Sequence, residues 1–283
     1  MGTFNRGICH KEKINAIKYT GVADSEQLSN VIISASSDRT VKLWDRRTGS
    51  SVSELKYQNK PFYSVDTNKN LICAGGESEL VFWDLRKLKV ALNYRDSHTD
   101  DVTAVHFHKS DPNWLLTCST DNLMNHFNWT DKPSTSEEDV LEGVYSSEQP
   151  LIDCGFINKD LLWTLTSVNT VEVVTVLDFD PHSKITKFPH QVDYVIGCGQ
   201  DRISPEGKFI IYAGNNRGEV YIYEMTGKNE IALAGMILSE SETIVRNCLR
   251  VSPDTIALTT ENGDLKVYKY QAQAQQESLM HEL

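Results

Sequence analysis

The sequence predicts an all-β protein of six repeated four-stranded sheets, and three observations carry that prediction. One pattern recurs six times at intervals of about 45 residues. The recurring segments alternate apolar with polar residues at a period of two and are rich in Val, Ile, Tyr, Phe and Thr, the signature of half-buried strands. No amphipathic helical stretch precedes residue 270.

Each instance is an apolar run, small residues, a polar tight turn, then an alternating run that ends in an aromatic followed by an acid or its substitute. The first reads Ile32-Ile33-Ser34-Ala35-Ser36-Ser37-Asp38, then Val41-Lys42-Leu43-Trp44-Asp45. The second is Leu71 to Gly76, then Leu80-Val81-Phe82-Trp83-Asp84, and the third Leu115 to Asp121, then Met124 to Asn128. The fourth is Leu161 to Asn169, then Val171 to Thr175, and the fifth Phe209 to Asn216, then Val220 to Glu224. The sixth is Thr255 to Gly263, then Leu265 to Lys269. The terminal aromatic slot falls at 44, 83, 127, 174 (a Val), 223 and 268, while Asn216-Arg217-Gly218 and Asn262-Gly263-Asp264 are hairpin turns. A unit of this length is one four-stranded propeller blade. It leaves both faces apolar, so each blade needs a neighbour on either side, and a ring supplies them. The expectation is one β-propeller domain over residues 1–270 and a polar, Gln- and Ala-rich tail over 271–283.

Composition removes several classes of function. Lys and Arg number 28 against 39 Asp and Glu, a net charge of −11 with a pI near 5.2. Such a balance repels a phosphate backbone, so no direct nucleic-acid partner is expected. No apolar stretch approaches the roughly 18 residues of a membrane span, and MGTFNRGICH is too polar for a signal-peptide core. The six cysteines, at 9, 73, 118, 154, 198 and 248, are widely scattered and read as thiols in a reducing cytoplasm or nucleus.

Trp-Asp at 44–45 and 83–84, with Ser-Pro-Glu-Gly at 204–207, resembles the WD-repeat β-propeller family over residues 8 to 270. The resemblance implies a buried network of a His before the first strand, a Ser or Thr in the second, an Asp in the tight turn and a Trp in the third. Repeat one offers His10, Ser34 or Ser36, Asp38 and Trp44; repeat three offers His98, Ser119 and Asp121, with Phe127 in the Trp slot. Repeats four to six are degenerate, with Val174, Tyr223 and Tyr268 there. The run His98 to His108, then Asp111-Pro112-Asn113 and Asp193-Tyr194-Val195-Ile196-Gly197, is similar to the WD repeat-containing protein 89 subfamily. Members of that subfamily carry another repeat upstream. Two closures follow: Gly2 to Cys9 pairs as the fourth strand beside 264–270 and completes six blades, or a seven-bladed type lacks most of its first blade and stays open, exposing apolar faces.

No catalytic, cofactor or metal site is read from the residues. His106 and His108 share a strand face but lack a third ligand at metal spacing. Leu-Asp-Phe-Asp-Pro-His at 177–182 is a solvated turn with a Pro stop. Gly197-Cys198-Gly199 has neither the third glycine nor the helix of a phosphate cradle and reads as a strand end or bulge. Cys73 and Cys118 are small core residues without a neighbouring base. The sequon Asn128-Trp129-Thr130 is a chance match. The acidic, Ser-rich stretch Lys132 to Glu142 is expected to be a mobile loop, an ordinary solvated one ahead of the alternative, a phosphorylation site.

The function expected is therefore a non-catalytic scaffold that presents loops to protein partners. Its contact residues are Arg39, Asn122, Asn169 and Arg217 in the tight turns and the connecting loop Arg95 to Asp101. A more specific alternative comes from residues 32–47, which resemble the sixteen-residue box of WD-repeat substrate receptors of cullin-RING ubiquitin ligases; residues 71–86 do so with one departure, at Cys73. That resemblance implies that Arg47 and Arg86 face a ubiquitin-ligase adaptor and make bidentate contacts with its carboxylates. A third reading, from the negative charge, is a scaffold for basic proteins in ribosome biogenesis or chromatin.

Overall fold

The structure is a computed structural model that describes residues 9–20, 30–68, 71–129, 134–201, 203, 207–238 and 242–269. Among these, every regular element is a β-strand. The first sheet orders β1 (Ile14–Tyr19), β2 (Val31–Ser36), β3 (Val41–Asp45) and β4 (Ser50–Leu55) side by side. The second comprises β5 (Phe62–Thr67), β6 (Leu71–Gly76), β7 (Leu80–Asp84) and β8 (Lys89–Tyr94), and the third β9 (Val102–Phe107), β10 (Trp114–Ser119), β11 (Leu123–Asn128) and β12 (Leu141–Ser146). The fourth is β13 (Leu151–Phe156), β14 (Leu161–Thr166), β15 (Val171–Thr175) and β16 (Pro181–Ile185). The fifth is β17 (Tyr194–Gln200), β18 (Phe209–Gly214), β19 (Val220–Gly227) and β20 (Glu230–Ile237). The sixth has three strands among the described residues, β21 (Val245–Ser252), β22 (Thr255–Thr260) and β23 (Leu265–Lys269).

Every neighbouring pair recorded strand by strand is antiparallel, the order expected of propeller blades, so the all-β fold class with six blade units is borne out. The expected third strands coincide with β3, β7, β11, β15, β19 and β23 to within a few residues. The strand expected at Gly2 to Cys9 lies outside the described residues apart from Cys9, as do Ser204-Pro205-Glu206 and the tail 271–283.

The chain divides into two compact units, residues 1–154 and 155–283. In the first, alternation sends Ile33, Ala35, Val41 and Leu43 of the first sheet against Phe62, Val65, Ile72, Ala74, Val81 and Trp83 of the second. The other face of the second sheet, through Cys73, Phe82 and Tyr94, packs on Val105, Leu115, Phe127 and Trp129 of the third repeat. In the second unit, Trp163, Leu165, Val171 and Val173 meet Ile211, Ala213 and Tyr223, whereas Ile210, Val220 and Ile222 meet Ile256 and Leu258. Both faces of a blade are thus apolar for the reason the repeat implies: each must be covered by the next.

Two local readings change and one stands. Pro181 opens β16 rather than stopping a segment. The insertion expected over Lys132 to Glu142 ends at the buried Val140, because Leu141 already pairs with Phe127 and Glu142 lies within β12 at the register shift. Gly197-Cys198-Gly199 lies inside β17, beside a register shift between Val195 and Gly197, as a bulge reading requires.

Candidate partner-binding surface

In an antiparallel blade the turn between the second and third strands and the connection into the first share one end, and the turn between the third and fourth lies at the other. Arg39 and Asn122 sit in turns of the first kind, Arg47 and Arg86 in turns of the second.

The first end is held by a polar network. His10 Nδ1 lies 2.9 Å from Asp38 Oδ2 and its Nε2 2.7 Å from Ser34 Oγ, while Trp44 Nε1 donates to the same Ser34 Oγ at 2.8 Å. A carboxylate only accepts, so Nδ1 carries the ring proton; Ser34 then accepts from the indole and donates to Nε2. Asp38 also accepts from Lys11 N, Thr40 N and Thr40 Oγ1 at 2.9, 3.1 and 2.6 Å. Burial alone pushes the Asp38 carboxyl up, but the Thr40 hydroxyl, the Lys11 amide and His10 outweigh it and hold the group well below the usual carboxylate range. Blade three repeats the design. His98 Nδ1 is 3.1 Å from Asp121 Oδ2, His98 Nε2 is 2.9 Å from Thr117 Oγ1, and Thr99 N and Leu123 N donate to Asp121 at 2.9 Å each. Asp121 is likewise lowered, burial opposing, with His98 and the Thr99 amide prevailing.

These distances correct two network assignments. Ser34 and Thr117, not Ser36 and Ser119, are the hydroxyls bonded to the histidines. Ser36 and Ser119 stand two residues further along the same strand face, where each accepts the amide of the turn aspartate at 3.1 Å and donates to a backbone carbonyl, Lys13 O and Asp100 O. Blade three lacks the indole; Asn125 Nδ2 instead donates to Ser97 O at 2.5 Å.

Sequence reasoning missed the equivalent in blade five. His190 Nδ1 lies 3.0 Å from the Tyr223 hydroxyl, and its ring stacks on Tyr221 at 4.9 Å, whose hydroxyl donates to Glu219 at 2.8 Å. Burial pushes the Tyr223 phenol up to about 12. The signal was present: a His ahead of the first strand and a Tyr in the slot, both hydrogen-bond capable. Blade two uses an ion pair at the comparable place, Lys60 Nζ to Glu79 Oε1 at 3.0 Å.

The turns so anchored present the predicted contact residues unequally. Arg39 is exposed at φ 72° and Asn122 half-buried at φ 74°, both left-handed, each donating its amide three residues back. Asn169, at φ 63°, is occupied: its Oδ1 accepts Val195 N at 2.9 Å and its Nδ2 donates to Asp193 O at 3.3 Å. Arg217 is exposed but stands one position early, since Gly218 takes the left-handed residue at φ 82°. In the loop between β8 and β9, Arg95 Nη2 donates to the Tyr57 hydroxyl at 3.1 Å, and Asp101 forms a backbone bridge with Glu77. Burial, then Asp100 and Glu77, push the Asp101 carboxyl up.

At the other end Arg47 closes a bidentate pair with its own Asp45, Nε to Oδ1 at 3.2 Å and Nη2 to Oδ2 at 2.9 Å. The side-chain and backbone bonds from Arg47 lower Asp45 to about 2. Arg86 stays looser, with Nε 4.0 Å from Asp84 Oδ1.

Elsewhere, His106 Nε2 is 3.2 Å from Asp153 and His108 Nδ1 accepts Asp111 N at 3.0 Å; no group of three metal-ligating side chains exists among the described residues. Asp178 and Asp180 serve the β15–β16 turn through Thr175. No helix among the described residues is long and apolar enough to cross a membrane.

The WD domain, G-beta repeat, matches residues 3–45 and 90–128, which end in the third strands of the two blades with intact His–Asp pairs. The WD repeat-containing protein 89 homolog of Dictyostelium discoideum is 28% identical over 84% of this chain and 66% of its own length. The WD repeat-containing protein GTS1 of Arabidopsis thaliana is 32% identical over 58% of the chain and 42% of its own length. Nucleoporin Nup43 of Homo sapiens is 31% identical over 45% and 37%. The chain therefore spans less than two thirds of the length of these relatives. Two stretches of the chain thus match the WD-repeat model, in line with the resemblance read from the sequence.

Proposed function

We propose that this WD-repeat chain is a non-catalytic protein-interaction scaffold whose partners dock on the tight-turn end, with Arg39, Asn122, Arg95 and Asp101 as contacts. One observation carries the reading: the His10–Asp38 and His98–Asp121 networks fix the turns from inside, so that Arg39 and Asn122 project from backbone held by buried hydrogen bonds. Rigid loops on a packed scaffold are what specific recognition uses. Asn169 and Arg217 belong to the same class of turn in the second unit and extend the reading there. A nucleoporin among the relatives supports work in the nucleus or the adjoining cytoplasm. The experiment is affinity purification with mass spectrometry of the intact chain beside an Arg39→Glu/Asn122→Arg/Asp101→Arg variant. Loss of partners from the folded variant supports the tight-turn end; an unchanged set of partners overturns it.

A second reading has its own observation. The Arg47 and Arg86 side chains are 70% and 71% exposed at the opposite end, the positions that the substrate-receptor box assigns to adaptor contact. Arg47 must share or release Asp45 to grip an adaptor carboxylate. Recovery of a ubiquitin-ligase adaptor by wild type and not by Arg47→Ala/Arg86→Ala supports this role; equal recovery by both dismisses it.

A further inference from the structure

The turns from third to fourth strand are short in the first two blades, residues 46–49 and 85–88, but in the third the chain takes residues 129–140 to make the same connection. Its described part, from Ser134, lies against the segment that follows β8. Ser134 O accepts the Tyr94 hydroxyl at 2.8 Å, and Tyr94 in turn accepts the Trp129 indole at 2.9 Å. The Glu137 carboxylate accepts the Ser97 hydroxyl and, at 3.4 Å, the Asp96 amide. Between these two tethers Thr135 and Ser136 are exposed. Downstream of Ser136 come three carboxylates in succession, Glu137, Glu138 and Asp139.

We propose that Ser136 is a phosphoacceptor for a protein kinase with a basic substrate cleft, and that the modification undocks residues 134–140 from the Tyr94–Ser97 segment. The acceptor choice follows from the surroundings. Ser134 is half-buried and its Oγ accepts the Ser136 amide at 3.1 Å, and Thr135 has a serine, not an acid, directly after it. Only Ser136 joins exposure to acids at the next three positions, the charge pattern a basic cleft selects. In the reaction Ser136 Oγ bonds to the γ-phosphorus of ATP, the bond from that phosphorus to the bridging oxygen breaks, ADP leaves with its electron pair, and the hydroxyl proton passes to the kinase base. The product adds about −1.5 to −2 charge beside Glu137, Glu138, Asp139 and Asp96. Glu137 then holds its two donors against a like charge one residue away. Arg95 is the cation of the facing segment, and its guanidinium is bonded to Tyr57, not turned to the loop. The site stands whether or not residues 95–101 meet a partner.

The test is incubation of the full chain with ATP and an acidophilic kinase of the casein-kinase-2 type, then phosphosite mapping and amide hydrogen exchange. One phosphate on Ser136, absent from S136A, is expected. Exchange at the amides of residues 95–97 should rise roughly tenfold in the product, and E137Q should show a comparable rise without kinase. Incorporation at Thr135 or Ser134 instead, or into an unfolded peptide of this segment but not the folded chain, overturns the site. Unchanged or slowed exchange at 95–97, the latter meaning capture of the phosphate by Arg95, overturns the undocking.

Discussion

The Ser34 side chain bonds two ring partners at once, the buried imidazole of His10 and the half-buried indole of Trp44. Ser34→Ala leaves both without it in a region where His10 is 1% exposed, and a fold loss of about 2–3 kcal/mol is expected from stranding buried polar groups. Ser36→Ala removes a bond to Lys13 O, which keeps the Ser37 amide as a donor, and about 1 kcal/mol is expected. Urea midpoints of the two variants rank them, and an equal loss would mean that the His10–Ser34–Trp44 relay has no privileged role. The acid limit follows from the same network. Asp38 and Asp121 are held below their ordinary value of 3.8, so the stability they contribute is present above that value and drains as pH falls through their folded values. Thermal melts of wild type should drop steeply below about pH 4, and Asp38→Asn/Asp121→Asn should start lower and flatten the drop. Parallel pH profiles would refute this assignment.

Between elements, contact is close enough that single atoms decide it. Asp66 on β5 is 2% exposed and joins three blades, taking Lys18 Nζ of β1 at 2.6 Å and Phe107 N of β9 at 2.9 Å. Gly75 on β6 lets β9 approach: a Cβ there would stand 2.5 Å from Val102 Cγ1 and from Ser64 Oγ, itself bonded to Val102 O. Gly75→Ala should cost about 1–3 kcal/mol by overpacking, whereas Gly197→Ala, with no atom within 4 Å of its Cβ, should sit near zero. Denaturant unfolding measures both, and a neutral Gly75→Ala would show that the second and third blades can part without penalty. Strands of this kind were legible in the sequence because alternation and tight turns are local signals. The choice of Ser34 over Ser36, or Thr117 over Ser119, was not, because residues two apart share a strand face and only depth in the blade separates them. The tyrosine version in blade five escaped because the expected donor was an indole, and Tyr223 meets His190 across 33 residues of sequence. The acidic loop was legible as an insertion, but its tethers to Tyr94 and Ser97 are long-range contacts that composition does not encode.

Over the whole molecule the net charge of −11 favours basic partners only where the acids face outward together. In the first unit they do so at the tight-turn end. Ser78 N donates to Asp100 O, Glu77 pairs with Asp101 through the backbone, and the raised Asp101 carboxyl records burial first and then the repulsion of Asp100 and Glu77. A carboxyl raised in the folded state opposes folding once it ionises, so this cluster is carried at neutral pH at some expense of stability, and Asp101→Asn should raise the melting temperature. An arriving Lys or Arg relieves the same repulsion. A fluorescent Lys/Arg-rich peptide should therefore bind the chain more weakly as salt rises from about 50 to 300 mM, as the Debye length contracts. Glu77→Gln/Asp100→Asn/Asp101→Asn should lower affinity roughly fivefold to tenfold at low salt and flatten the salt slope, the scale set by three rim charges of about 0.3–0.5 kcal/mol each. Anisotropy titrations decide it: if the triple variant binds as wild type does, the basic-partner reading loses its physical basis.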